Sequence, residues 1–213
     1  MEPVTLTTAR LLLRPLQPSD IDAVLAACQD PEIPRWTSVP SPYTREHAAD
    51  FVERISPEGW RDDTLYNFGV FTRESGALVS SMGLVRLAQL SPPERQAELG
   101  YWTVKEQRGR GYTAEAGRAV CDWAFSALGV ERMEWYAEAG NVGSRAVALS
   151  IGFVMEGTMR AKIVQNGTRR DTWRAALLPS DWGRASATAY LPYERPAEPH
   201  GAERPEQPGQ PSA

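Results

Sequence analysis

The hydrophobic positions change period several times along the chain, and each change marks an element. "RLLLRPL" (10–16) is a short apolar run closed by proline, which predicts a strand. "SDIDAVLAACQD" follows, with Ile21, Val24, Leu25 and Cys28 on one helical face and Ser19 as the expected cap. The proline-rich stretch 31–42 predicts loop. In "TREHAADFVERI" the stripe Ala48, Phe51, Val52 and Ile55 predicts a second helix, capped by Thr44, with Glu46 near the positive end of its dipole.

The period then drops to two. "LYNFGVFTRESGALVSSMGLVRL" alternates on both sides of "ESG", a hairpin turn. "SPPER" is a second turn, and "QAELGYWTV" is a third strand. Three consecutive strands with short links predict an antiparallel meander. Helical spacing returns at Tyr112, Ala116, Ala119, Val120, Trp123 and Ala127, ending at Gly129. "ERMEWYAEA" alternates as a strand, and "NVGSRAVALSI" is a short helix capped by Asn141 and stopped by Gly152. "GFVMEGTMR" and "TRRDTWRAALL" predict a hairpin turning at "NGT", and "PSDW" begins a last helical turn. The order is β-α-α-β-β-β-α-β-α-β-β: one α+β domain, residues 4–184, with a mixed, mostly antiparallel sheet flanked by helices. From about residue 192 the chain is rich in Pro, Glu, Gly and Gln, which predicts a disordered tail over 192–213.

Composition narrows the function. A chain of 213 residues with 42% hydrophobic and 23% charged residues is ordinary for a globular protein. A net charge of −4 argues against a general nucleic-acid binder while leaving room for a local basic patch. No apolar run approaches the roughly 20 residues of a membrane span, and residues 1–10 lack a signal-type apolar region, so a cytoplasmic, non-membrane protein is expected. Cys28 and Cys121 both lie in helical patterns and are expected to pack as small hydrophobes. With only His47 and His200, and no cluster of metal-ligand spacing, neither histidine-centred nor metal chemistry is expected.

The informative stretch is "EQRGRGYTAEAGRAV" (106–120), where two glycines among arginines open into a helix. It can be a plain strand-to-helix turn. It also matches G-x-G-x-x-[GA] at Gly109, Gly111 and Ala114, the dinucleotide fingerprint, but Lys105, Glu106, Gln107 and Arg108 separate it from its strand and the further βα units are missing. A third reading is a pyrophosphate cradle. The glycines admit close approach to the backbone, the first helical N–H groups lack internal partners, and Arg108, Arg110, Tyr112 and Thr113 add charge and hydroxyls.

The run "ELGYW", "GRGYTAEA", Asn141 and Ser144 in "N-x-x-S", then "GF" at Gly152, resembles the GNAT N-acetyltransferases in order and spacing. It looks most like the branch of ribosomal-protein N-terminal (alanine/serine) acetyltransferases and related antibiotic-modifying enzymes. The resemblance spans roughly residues 10–182. It implies the GNAT fold, acetyl-CoA as cosubstrate without a metal, and transfer of acetyl to a primary amine on a protein N-terminus or a small molecule. It implies that acetyl-CoA lies in a V between two splayed parallel strands ending near Val104 and Glu138. Trp102, Thr103 and Val104 would then pair with the pantetheine arm, and the loop 104–113 would bind the pyrophosphate. Asn141 would contact the arm, and Ser144 would lie near the sulfur. Two positions depart from the family pattern: Glu106 stands where Gln or Arg is common, and Ala148 where many members carry the tyrosine that protonates the thiolate.

The reaction implied is direct attack by a neutral amine, which needs a base. Glu98, on the strand expected to face the acceptor, is the candidate, acting through a water. Ser144 is the candidate acid, and a backbone N–H near Val104 the candidate donor to the thioester carbonyl. Arg35 and Trp36 border the expected acceptor site, though the aromatics Trp36, Tyr43, Trp60, Tyr66 and Phe68 can equally cover the sheet. A homodimer is expected from the family's habit. The competing reading is a non-catalytic acyl-CoA-binding module of the same fold.

Overall fold

The computed structural model describes residues 1–165 and 167–193. Its strands are β1 (Leu6–Thr7), β2 (Leu11–Arg14), β3 (Tyr66–Thr72), β4 (Leu78–Val85), β5 (Gln96–Thr103), β6 (Arg132–Glu138), β7 (Val154–Gln165) and β8 (Thr168–Leu177). They form one sheet in the order β1-β2-β3-β4-β5-β6-β8-β7. The meander is present as expected, and β5–β6 is the one parallel pair among the described strands.

The helices are α1 (Ile21–Ala27), α2 (Glu32–Trp36), α3 (Arg45–Asp50), α4 (Ser56–Arg61), α5 (Tyr112–Ala127) and α6 (Val142–Ile151). Alternation along the strands splits the core in two. Tyr66, Phe68, Val70, Met82, Leu84 and Leu99 face α5, where Trp60 and Trp123 join the same cluster. Trp60 stacks on Tyr66 at 4.8 Å and meets Phe68 edge-on at 5.2 Å. These aromatics are therefore core, each contributing about 1.5–3 kcal/mol of burial. On the other face Phe71, Leu78 and Trp102 pack with Val24, Ala48 and Val52 of α1 and the α3–α4 segment. A side chain at Gly117 would collide with Ile151, so this glycine lets α5 and α6 approach closely. Both cysteines are free and buried, and burial pushes the Cys28 thiol up to about 12.

Four expectations change. The proline-rich stretch 31–42 contains α2. Ser19 does not cap a helix: it lies in a 3-10 turn, Pro18–Asp20, where the Asp20 carboxylate accepts from Gln17 N–H at 2.8 Å. Thr44 does cap α3, accepting from His47 N–H, but the turn Phe51–Ile55 between α3 and α4 winds as a π-helix. The wider turn breaks the 3.6-residue stripe, leaving Ile55 38% exposed instead of buried. A short strand, β1, precedes the first expected one. Asn166 of the expected hairpin turn and the tail beyond 193 lie outside the described residues. Among the described residues no helix is long and apolar enough to cross a membrane.

Candidate active site

β5 and β6 pair over only three positions, Gln96 with Arg132, Ala97 with Met133 and Glu98 with Glu134. β5 then stays with β4 to Thr103, while β6 stays with β8 to Glu138. The strands separate, and a cleft of about 1210 Å³ fills the gap.

Backbone alternation shows which groups face it. Val104 N–H donates to the Val79 carbonyl of β4 at 2.9 Å, and the Trp102 carbonyl accepts from Ser80 Oγ at 2.5 Å. In an antiparallel pair the groups of alternate residues point the same way, so those of Leu99, Tyr101 and Thr103 face the gap. On β6, Ala139 N–H donates to the Asp171 carbonyl beside β8, which turns Tyr136 and Glu138 toward the gap. The Val104 N–H, expected to polarise a carbonyl, is thus already bonded, and Arg108 Nε donates to the Thr103 carbonyl at 3.2 Å.

At the mouth, Gly109 and Gly111 both adopt a φ of 74°. A side chain at Gly109 would meet no protein atom within 4 Å, so the space above this backbone is open. The first helical bond of α5 runs from Glu115 N–H to the Gly111 carbonyl at 3.1 Å. The N–H groups of Tyr112, Thr113 and Ala114 therefore have no helical partner, and they sit at the positive end of a 16-residue helix. The two arginines differ. Arg108 is folded back onto Asp30 at 2.5 Å. Arg110 makes one long side-chain bond, 3.4 Å, to Gln107. Thr113 Oγ1 lies 2.8 Å from Thr103 Oγ1, and Arg10 lies over the Tyr112 ring at 4.5 Å while pairing with Glu115. The loop is braced from beneath and open above.

On the α5 face of the sheet, Tyr101 meets Ser144 of α6. Tyr101 Oη donates to the Ser144 carbonyl at 2.9 Å and accepts from Ser144 Oγ at 3.2 Å. Trp135 Nε1 donates to Ser144 Oγ at 3.2 Å. Asn141 Oδ1 accepts Ser144 N–H at 3.1 Å, as expected of a cap, and the residue lines the cleft. Burial pushes the Tyr101 phenol well above its ordinary range, against the opposing effect of Ser144 and the neighbouring Trp135 indole. Ala148 is fully buried, so no side chain there reaches the cleft.

On the opposite face lie Glu98, Gly100 and Trp102, with Ser81, Gly83 and Val85 of β4 and Asn67 of β3. Burial raises the Glu98 carboxyl above the ordinary range; Glu134 raises it further, while Arg86 and Lys162 lower it. Arg86 Nε lies 2.6 Å from Glu98 Oε2. Trp36 lines the cleft and donates its indole N–H to Glu32 at 2.9 Å. Arg35 does not line it: its guanidinium makes two bonds, 2.9 and 2.8 Å, to Glu138. Sequence reasoning missed Tyr101, Asn67 and Arg86. For Tyr101 the signal was present, because alternation with Glu98 and Gly100 puts it on the α5 face.

The acetyltransferase (GNAT) domain family matches residues 10–154. The Bacillus subtilis protein YoaA, an uncharacterized N-acetyltransferase, is 29% identical over 167 residues, 78% of this chain and 92% of that one. B. subtilis YdaF, provisionally named a ribosomal N-acetyltransferase, is 36% identical over 137 residues, covering 63% of this chain and 73% of its own. Among solved structures, Mycobacterium smegmatis RimJ in complex with CoA-disulfide shares the fold with a TM-score of 0.74 at 21% identity, covering 87% of this chain and 93% of that one. The splayed strands, the glycine loop and the matched family agree: the chain belongs to the GNAT family of N-acetyltransferases.

Proposed function

We propose that this enzyme transfers the acetyl group of acetyl-CoA to a primary amine, with a protein or peptide N-terminus as the acceptor class. The observation that carries this is the separation of β5 from β6 after Glu98 and Glu134, which opens a cleft leading to the unpaired N–H groups of α5. The pyrophosphate would lie over Gly109 and Gly111 against Tyr112, Thr113 and Ala114, with Arg110 as the mobile cation. The pantetheine arm would pair with the gap-facing groups of Leu99, Tyr101 and Thr103 rather than with Trp102 and Val104, and the Asn141 amide would add a donor. The relatives' ribosomal names, and the RimJ complex with CoA-disulfide, support the acceptor and cosubstrate classes.

The two faces of β5 divide the chemistry. Glu98, on the acceptor face, takes a proton from the incoming ammonium through a water. The neutral nitrogen attacks the thioester carbon, the C–N bond forms and the C–S bond breaks. The leaving sulfur takes a proton from Ser144 Oγ on the other face, the Ser144 oxygen regains a proton from water, and the second amine proton and the one held by Glu98 pass to solvent. Tyr101 acts as a positioning residue that holds Ser144. A raised carboxyl suits the base, since proton transfer works best when its pKa approaches the operating pH. Calorimetric titration tests the reading: acetyl-CoA should bind with one site per chain, and absence of heat and of thermal shift at millimolar ligand rejects it.

A further inference from the structure

The acceptor face holds a slot that the acetyl-transfer chemistry does not require. Three rows of residues cross the strands there. Gly83 of β4 stands opposite Asn67 of β3 on one side and Gly100 of β5 on the other. The row on one flank carries Val85 and Glu98, and the row on the other carries Ser81 and Trp102. The middle row has no side chain over β4 and β5, so it forms a trench between flanking rows that stand four residues, about 13 Å, apart along the strands. It runs about 10 Å across the sheet, two strand spacings, from Gly100 at the gap to Asn67. Phe51 and Ile55, the latter turned out by the π-helical turn, line the same cleft.

Two features of the trench bear on what it could hold. A Cβ on Gly100 would meet no protein atom within 4 Å, although this residue lies mid-strand, where glycine weakens a sheet. At the far end, Asn67 is 4% exposed, and its Oδ1 accepts from Ser81 Oγ at 2.9 Å. Its Nδ2 has no partner among the described residues. A buried donor left unpaired costs about 1–3 kcal/mol, which a matching oxygen recovers.

We infer that Asn67 is a specificity-determining residue that reads a neutral carbonyl oxygen on the acceptor, the first peptide carbonyl following the reacting amine. The charges favour a carbonyl over a carboxylate. Glu98, Glu32 and Asp50 line the cleft, Arg86 is committed to Glu98, Arg108 to Asp30, and His47 Nδ1 accepts from Thr44 N–H. A free amino acid would place its carboxylate among these acids, and among the described residues that line the cleft no arginine or lysine is free to meet it; Lys162, the other cation that acts on Glu98, does not line the cleft. The site therefore accepts peptide N-termini and amino-acid amides and rejects free amino acids. This rests on the acetyl-transfer reading above.

The test compares alaninamide, free alanine and isopropylamine with acetyl-CoA, in wild type, Asn67→Ala and Gly100→Ala. The ratio of variant to wild type for each acceptor cancels differences in amine basicity. Wild type should use alaninamide well and free alanine poorly. Asn67→Ala should lower kcat/KM about tenfold to a hundredfold for alaninamide and leave isopropylamine unchanged. Gly100→Ala, whose methyl touches no protein atom, should keep Tm and acetyl-CoA affinity and also lower kcat/KM for alaninamide. Equal losses on every acceptor, free alanine used as readily as alaninamide, or no turnover of alaninamide by an enzyme that acetylates isopropylamine each overturn the slot alone. Failure to bind acetyl-CoA overturns the parent reading instead.

Discussion

Tyr101 grips Ser144 at two points, donating to its carbonyl and accepting from its hydroxyl, across the gap between β5 and α6. The tyrosine that many family members carry at the position of Ala148 is absent, yet a phenol from the facing strand reaches the same helix. Ser144→Ala should lower kcat about tenfold to a hundredfold while KM for acetyl-CoA stays nearly constant, the signature of a contact used in the transition state. Tyr101→Phe should lower kcat less, and the double variant should lose no more than Ser144→Ala alone. Additive losses would show that Tyr101 acts independently of Ser144.

Glu98 carries two consequences of its burial. In the proposed reaction it must be ionised, so kcat/KM should fall on the acid side with an apparent pKa above the ordinary glutamate range, and Glu98→Gln should abolish that limb with most of the activity. Its stability effect has the opposite sense. Folding raises this carboxyl, so Glu98 supports the fold below its unfolded pKa, and that support is lost as pH rises through the folded value. Glu98→Gln should therefore keep or raise Tm at neutral pH, with the gain shrinking toward about pH 4. A lower Tm at neutral pH contradicts this.

Arg110 and Arg108 should separate cleanly. Arg110→Ala removes a cation with one weak protein contact, so it should weaken CoA several-fold, less at high salt, and leave pantetheine binding unchanged. Arg108→Ala frees Asp30 and the Thr103 carbonyl, and should lower Tm as well as affinity. Binding titrations with CoA and pantetheine at two salt concentrations measure the difference.

Arg35 ties α2 across the cleft to the end of β6. The Arg35 guanidinium holds the Glu138 carboxyl below its usual range through its hydrogen bonds, so this stability is present above the unfolded carboxyl pKa and lost as pH falls through the depressed one. Arg35→Met should lower Tm at neutral pH, and the two proteins should converge in acid. A difference that is constant with pH would assign the loss to packing on Trp36, whose ring lies 4.0 Å from the guanidinium.

The meander, α5 and the glycine loop were legible because period and turn chemistry are local. Thr44 and Asn141 were legible as caps for the same reason. What escaped depends on register. Which backbone groups of β5 face the gap follows from the Val104–Val79 bond, and no local pattern encodes it. Arg35 looked like a ligand for substrate, but its partner Glu138 is 103 positions away. The outward turn of Ile55 comes from a π-helical winding that a 3.6-residue stripe does not announce.

Amine-dependent thiol release from acetyl-CoA tests the central claim most directly. With a short peptide bearing a free N-terminus, this account predicts one thiol released per peptide acetylated, at a rate that saturates in both substrates and is lost in Glu98→Gln. Saturable acetyl-CoA binding with no peptide-dependent thiol release would contradict it and mark the chain as a binding module of the same fold.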